Sequence, residues 1–168
     1  MLFPHARLPF ARMQPGTSMK GNFVISYPEI WYFAQNPANQ RDSSVVAAIA
    51  NPTVFKLGVI VFIRRSGVSY DSFDKVSKWG EEIVAKENRF ESISSTKLMI
   101  RNEETELREY TWFAPLTPIS SPEKMQCYGN YRLHERTGYV ITLCVNAEDW
   151  AIVAPTFRQM IESFAYLD

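Results

Sequence analysis

The most constraining feature of the sequence is the stretch from residue 125 to residue 164, which predicts two strands and a closing helix. Residues 125–133 and 139–145 alternate apolar and polar side chains, as half-buried strands do. The short segment between them contains Gly138, which can supply the positive φ that a three-residue loop needs. The two strands are therefore predicted to pair as an antiparallel hairpin.

A helix is predicted from about Pro155 to Phe164. Proline suits the first turn of a helix because its missing N–H has no helical partner there. The apolar side chains that follow recur at i, i+3, i+4 and i+7 and define one buried face: Phe157, Met160, Ile161 and Phe164. Residues 147–153 are interpreted as a separate short turn.

The rest of the chain predicts more strands and one earlier helix. Apolar runs predict strands at 22–27, 45–50, 55–64, 90–100 and 107–113, and helical spacing predicts a helix from about 69 to 86. The third of these strands is almost entirely apolar, which indicates burial on both faces. Together the elements predict an α+β fold, with an antiparallel sheet of about six to seven strands flanked by helices.

The two cysteines, Cys127 and Cys144, lie on the two strands of the hairpin. Pairing the apolar face of one strand with the apolar face of the other puts these side chains on opposite sides of the sheet. Cβ atoms that point apart cannot be bridged. Both are therefore predicted to be free, packed thiols.

Composition excludes several classes of protein. The chain has 168 residues, which fits one domain, and no stretch approaches the 18 consecutive apolar residues of a membrane-spanning helix. No basic–aromatic pattern of an RNA-binding sheet accompanies the strand aromatics, so nucleic acid is not expected as a partner. No glycine-rich phosphate loop occurs either.

The first 20 residues differ from the remainder and are interpreted as an extended, proline-containing N-terminal arm, followed by a domain over residues 21–168. Up to residue 28 the chain contains three basic residues and no acidic one, a pattern found in organelle-targeting sequences and peptide arms. A start without fixed structure is the alternative. The residues predicted to bind a partner are basic groups and apolar anchors: Phe3, Arg7, Leu8, Phe10, Arg12 and Lys20.

The sequence contains few candidates for catalytic or metal-binding residues. Histidine occurs only at positions 5 and 134, which argues against a His-based triad, and no cofactor and no catalytic residue are expected. His134 beside Glu135 is a candidate site for a divalent metal ion at the predicted hairpin tip; a solvated turn is the alternative. An acidic run at Glu103, Glu104, Glu106 and Glu109 could attract Ca²⁺ or Mn²⁺, although Ca²⁺ needs six to eight converging oxygens.

Three motifs, in this order and spacing, resemble those of PsbP domains, the family of the extrinsic protein of the photosynthetic oxygen-evolving complex. They are Phe23-x-Ile25-x-Tyr27-Pro28-x-x-Trp31, Ser69-x-Asp71-x-Phe73, and Ala147-x-x-x-Trp150 followed by the amphipathic helix that ends in Ser163-Phe164. The resemblance covers about residues 21–166. It implies an α–β–α sandwich.

The resemblance also implies a function. The expected role is that of a non-catalytic accessory subunit, docked on a membrane protein complex on the lumenal side of the thylakoid, which stabilises neighbouring subunits or retains ions such as Ca²⁺. The short leader that begins with Met departs from the photosynthetic proteins and admits a mitochondrial complex instead. Two further functions fit the same fold: a soluble adaptor, like the Ran-binding import factor that shares the PsbP fold, and a small-molecule-binding protein.

Overall fold

The computed structural model describes residues 12–35, 42–51, 58–115 and 122–168. Within these ranges the chain forms ten strands and two α-helices. The strands are β1 (Met13–Ser18), β2 (Phe23–Pro28), β3 (Tyr32–Gln35), β4 (Val45–Asn51), β5 (Val59–Ser69), β6 (Glu91–Ile100), β7 (Glu103–Pro115), β8 (Pro122–His134), β9 (Thr137–Asn146) and β10 (Ala165–Tyr166), and the helices are α1 (Phe73–Ala85) and α2 (Trp150–Ser163).

Seven strands form one antiparallel sheet in the order β3-β4-β5-β9-β8-β7-β6. Neighbouring residues of a strand point to opposite faces, so Tyr139 and Val140 mark the two sides of the sheet. Tyr139 lies in the core that includes α2, whereas Val140 packs with Val76 of α1. The predicted α+β fold, with helices on both faces of an antiparallel sheet, is confirmed.

The main core lies between the large sheet, α2 and a small sheet of order β1-β2-β10. Phe23, Phe157 and Phe164 are fully buried there, and the rings of Phe23 and Phe164 stack at 4.9 Å. Burial of each such side chain stabilises the fold by about 1.5–3 kcal/mol. The predicted buried face of the closing helix is confirmed. No helix in the described ranges is long and apolar enough to cross a membrane.

Helix α2 begins five residues before the predicted start and contains Pro155 in its interior. Proline removes the N–H that would bond the carbonyl of Ala151. Both residues are exposed, so that carbonyl lies on the solvent side of the helix. The prediction that Pro155 starts the helix was therefore wrong.

Part of the predicted N-terminal arm belongs to the folded domain. Residues 13–18 form β1, which pairs along its whole length with β2, and Pro15 is tolerated because β1 is an edge strand. The prediction of a domain boundary at residue 20 was wrong, because this segment bonds to the chain's own sheet. The arm residues Phe3, Arg7, Leu8 and Phe10 lie outside the described residues.

The hairpin β8–β9 has a different register from the predicted one. Cys127 lies directly opposite Cys144, and the two sulfurs form a disulfide, so the prediction of free thiols was wrong. The turn consists of Glu135 and Arg136 alone, at φ angles of 47° and 70°, whereas a loop ending at Gly138 was expected. The observed pairing of β8 with β9 therefore differs from the predicted one by one residue. Such a shift reverses which side chains of the two strands share a face of the sheet.

In this register the side of β8 that carries Asn130 and Arg132 faces the main core. Arg132 is 2% exposed and donates from Nε to Oδ1 of Asn130 at 2.6 Å. Its terminal nitrogens donate to the carbonyls of Ile161 and Phe164. Carbonyls at the C-terminal end of a helix lack helical donors, so Arg132 caps α2 from within the protein.

Candidate functional site

The side of the large sheet that carries α1 is not covered evenly. Helix α1 lies over β8 and β9. The register places Tyr32 opposite Ala50 and Ala50 opposite Ile60, and the next row joins Ala34, Ala48 and Phe62 in the same way. Because residues directly opposite each other share a face, these side chains form one surface, which we call the open face: Tyr32, Ala34, Ala48, Ala50, Ile60 and Phe62.

The open face is apolar and partly exposed. Tyr32 is 67% exposed and Ile60 is 39% exposed, whereas Val61, the neighbour of Ile60 on the other face, is fully buried. The prediction that β5 is buried on both faces was therefore wrong. No sequence signal marks this face, since no strand was predicted at Tyr32–Gln35 and small apolar residues such as those of β4 fit either environment.

An apolar cavity of about 270 Å³ lies where the open face meets the C-terminal end of α1. Its wall comes from β5, β7, β8, β9 and α1, and includes Cys144 of the disulfide. Six of its apolar lining residues are Ile60, Phe62, Ile83, Val84, Trp112 and Met125. Three polar side chains also reach the wall: Arg64, Glu87 and Thr142.

Arg64 is held in place by two neighbours. Its Nε donates to Oδ2 of Asp42 at 2.9 Å, and its Nη1 lies 3.4 Å from Oγ1 of Thr142. Partial burial of Asp42 raises the pKa of this carboxyl, but hydrogen bonds from Ser44 and Arg64 outweigh that effect and lower it overall. Asp42 is therefore a stable anion, and it neutralises the charge of Arg64.

Glu87 follows the end of α1 and is the second ionisable group on the cavity wall. Burial raises the pKa of its carboxyl, and the positive charge of Arg64 opposes this only in part. No described residue donates a hydrogen bond to this carboxylate. The cavity is therefore a poor environment for a further negative charge.

Glu106 fastens α1 to the sheet. Its carboxylate accepts hydrogen bonds from Ser77 of α1, from Ser95 of β6 at 2.9 Å and from Nε of Arg108 at 3.0 Å. Burial opposes ionisation, but the three hydrogen bonds and the charge of Arg108 outweigh it and lower the pKa of Glu106. We assign Glu106 a structural role, because its carboxylate and the side chains of Ser77, Ser95 and Arg108 form hydrogen bonds within the protein.

Replacing Glu106 by Gln should reduce the free energy of unfolding near neutral pH by about 1–2 kcal/mol, because charge-assisted hydrogen bonds become neutral ones. The folded pKa is depressed, so this stabilisation is present above the unfolded pKa of about 4.3 and is lost as the pH falls through the folded value. Urea unfolding at several pH values should show the gap between wild type and variant closing in acid. The exposed Glu162→Gln variant is the control, and an equal gap at every pH would contradict the assignment.

The acidic run does not form a cation site. Glu104 and Glu106 lie on the α1 face of β7, whereas Glu103 and Glu109 point to the other face. Each has its own neighbour: Glu103 accepts from Tyr166, Glu104 pairs with Lys97 at 3.1 Å, and Glu109 accepts from Gln126 at 2.8 Å. The convergence of oxygens that Ca²⁺ requires is absent from these four side chains.

The candidate metal ligands His134 and Glu135 lie beside a third residue, Asp168. Nε2 of His134 is 3.1 Å from Oδ1 of Asp168, and the donor atoms of His134, Glu135 and Asp168 all lie within 4.8 Å of one another. The His134 ring also stacks on Tyr166 at 3.6 Å. Strand β10 brings Asp168 to the hairpin tip, a proximity that sequence spacing does not indicate. Metal binding here stays a prediction.

Two of the predicted partner-binding residues lie in the described ranges. The carbonyl of Arg12 accepts a hydrogen bond from the N–H of Glu29 at 2.9 Å, and that of Lys20 accepts one from Arg65 at 2.8 Å. Both side chains are exposed, at opposite ends of β1. They therefore do not share one site with each other.

The described residues contain one histidine, His134, and its hydrogen-bond partner among them is Asp168. Both cysteines are in the disulfide. A hydroxyl or thiol activated by histidine, as nucleophilic hydrolases use, does not occur among these residues.

No family model matches the chain, and no curated protein sequence does. Among solved structures, cyanobacterial PsbP from Synechocystis sp. PCC 6803 superposes with a TM-score of 0.69 at 12% identity, covering 93% of each chain. The Ran-binding protein Mog1p of Saccharomyces cerevisiae gives 0.65 at 9% identity, covering 94% of this chain and 97% of its own. LpqN of Mycobacterium tuberculosis, involved in cell envelope biogenesis, gives 0.58 at 10% identity, covering 92% and 90%. Identities this low show the fold alone: the chain has the PsbP-like α+β fold, which Mog1p shares.

Proposed function

We propose that this protein is a non-catalytic accessory subunit that docks on another protein through the open face of its sheet. The observation that carries the proposal is the row Tyr32, Ala50 and Ile60, an apolar strip that runs across three strands and is exposed at both ends. Contiguous exposed apolar surface of this kind marks interaction sites in soluble domains.

The shape of the open face fits a helix of the partner. Strands β3 and β5 lie about 10 Å apart across β4, and a helix is about 10 Å wide. The alanines on this face, Ala34, Ala48 and Ala50, allow close approach of a helix backbone. Helix α1 packs on the same side of the sheet, where a Cβ at Gly80 would come within 2.7 Å of the Tyr131 ring, so such close packing already occurs there.

We further propose that the partner is a subunit of a membrane-bound assembly, with a photosynthetic complex in the thylakoid lumen as the leading case and a mitochondrial complex as the alternative. The likeness to cyanobacterial PsbP supports this. The Cys127–Cys144 disulfide supports an oxidising compartment, because disulfides are rare in cytosolic and nuclear proteins. Stabilisation of neighbouring subunits is the proposed role; retention of ions such as Ca²⁺ is a further part of it.

A soluble adaptor is the second candidate. The likeness to the Ran-binding protein Mog1p favours it, since that protein has the same fold at a similar TM-score. The disulfide favours the first candidate, because an adaptor in the cytosol would be in a reducing environment.

Site-specific photo-crosslinking tests the docking face. A benzophenone side chain placed at Tyr32 or at Ile60 should crosslink to one and the same subunit in membranes of the protein's own cells, identified by the crosslinked peptide. The same probe at Val68, which is 64% exposed and lies outside the open face, should not. Tyr32→Glu should release the protein from washed membranes, and Val68→Glu should not. Full retention of Tyr32→Glu would contradict the proposal.

The contribution of the arm is tested separately. Deletion of residues 1–11 spares β1, which begins at Met13, so the fold is kept. Phe3, Arg7, Leu8 and Phe10 are proposed to add contacts to the partner, and the deletion should weaken membrane retention without changing the melting temperature. Unchanged retention would remove the arm from the proposal and leave the open face.

A further inference from the structure

The cavity beside α1 is elongated and has unlike ends. In the sheet register, Thr142 lies beside Phe62 and Gly129, whereas Met125 and Trp112 lie opposite each other four residues further along the strands. Four residues of strand span about 13 Å. The cavity is therefore a slot whose sheet side is polar near Thr142 and Arg64 and apolar near Met125 and Trp112.

Part of the Arg64 guanidinium at the polar end has no acceptor among the described residues. Arg64 uses Nε for Asp42 and Nη1 for Thr142, while Nη2 donates to no described residue. A partly buried guanidinium N–H without an acceptor is costly unless a ligand or solvent accepts its hydrogen bond. The N–H groups of Nη2 can thus donate to a ligand oxygen.

The charged side chains on the cavity wall restrict which ligands can bind. Asp42 already neutralises Arg64, and Glu87 adds a carboxylate that no described donor compensates. An anionic ligand would meet Glu87 at short range in an apolar setting. A cationic ammonium only donates hydrogen bonds, so it could not accept one from Arg64. We propose that the slot binds a neutral, mainly apolar small molecule with a single polar end group, a hydroxyl or an amide oxygen, that accepts from Arg64.

This inference goes beyond the docking function and does not depend on it. The slot and the open face share Ile60 and Phe62, but the other lining residues of the slot lie outside the open face, on α1, β7, β8 and β9 and at Arg64 and Glu87. Tyr32→Glu, which should abolish docking, should leave ligand binding unchanged. The two proposals can therefore fail independently.

Binding is measured with the full chain and the neutral fluorescent probe N-phenyl-1-naphthylamine, whose emission rises in apolar sites. Three competitors share one ten-carbon chain and differ in head group: decan-1-ol, decanoate and decylamine. Decan-1-ol should displace the probe at concentrations about tenfold lower than the other two. If decanoate or decylamine competes as well as decan-1-ol, the inferred class of ligand is wrong.

Variants locate the site. Ala114 lines the apolar part of the cavity, so Ala114→Trp should fill it and abolish probe binding, whereas Ala151→Trp on the exposed side of α2 should not. Arg64→Met should weaken decan-1-ol about tenfold, the effect of one hydrogen bond to a charged group, with little change for the probe. Glu87→Gln should strengthen decanoate. Probe binding that survives Ala114→Trp, or decan-1-ol binding that is unchanged in Arg64→Met, would overturn the proposal.

Discussion

Replacing Arg132 by Ala is expected to lower the free energy of unfolding by about 3–5 kcal/mol. The guanidinium bonds three acceptors that have little access to water: Oδ1 of Asn130 and the carbonyls of Ile161 and Phe164. Each buried acceptor left without a donor costs about 1–3 kcal/mol, although the carbonyl of Ile161 keeps a second donor, the N–H of Phe164. The side chain also stacks over the Phe164 ring at 4.7 Å, so truncation leaves a cavity in the core. Urea unfolding followed by far-UV circular dichroism measures the change.

Two further variants separate capping from packing. Arg132→Met keeps most of the volume but supplies no donor, so it should still lose about 2 kcal/mol or more. Arg132→Lys keeps a positive charge, and burial disfavours charge at this position, as the lowered pKa of Arg132 shows. A lysine ammonium also cannot reach all three acceptors at once. Arg12→Ala, at an exposed position, is the control and should change stability by less than about 0.5 kcal/mol. Wild-type stability in Arg132→Met would show that capping of α2 contributes nothing.

The sequence predicts the elements around Arg132 but not its role. Periodicity located the hairpin strands and the buried face of α2, because those patterns follow directly from burial. The register depends instead on the turn, and Glu135 and Arg136 both adopt positive φ without glycine. No local pattern marks that choice, so pairing the apolar faces of the two strands did not predict that Arg132 lies in the core.

The candidate sites show the same limit. His134 and Glu135 are neighbours in sequence and could be paired in advance, but Asp168 reaches them only through β10. The open face and the cavity depend on how much of the sheet α1 covers. The sequence predicts a helix near residues 69–86, but it does not predict where that helix lies across the sheet. Neither Tyr32 nor Arg64 could therefore be assigned a function from their neighbours along the chain.

The disulfide should contribute about 3 kcal/mol to stability. Cys127 and Cys144 are 17 residues apart, and closing a loop of that size in the unfolded chain removes about this much conformational entropy. Reduction with dithiothreitol should therefore lower the urea midpoint of the wild type. The double variant Cys127→Ala, Cys144→Ala should be less stable than the oxidised wild type and should not respond to the reductant.

The effect of reduction bears on where the protein works. In an oxidising compartment the bond stabilises the two central strands of the sheet, β8 and β9, beneath α1. In a reducing compartment the fold would have to tolerate its loss at all times. A wild type whose midpoint is the same with and without dithiothreitol, although mass spectrometry shows the bond intact before reduction, would contradict a stabilising role. It would also remove the support for a lumenal accessory subunit over a cytosolic adaptor. A large drop in the urea midpoint on reduction would count against the adaptor. In a reducing compartment its sheet would lack the disulfide between β8 and β9 and would be less stable.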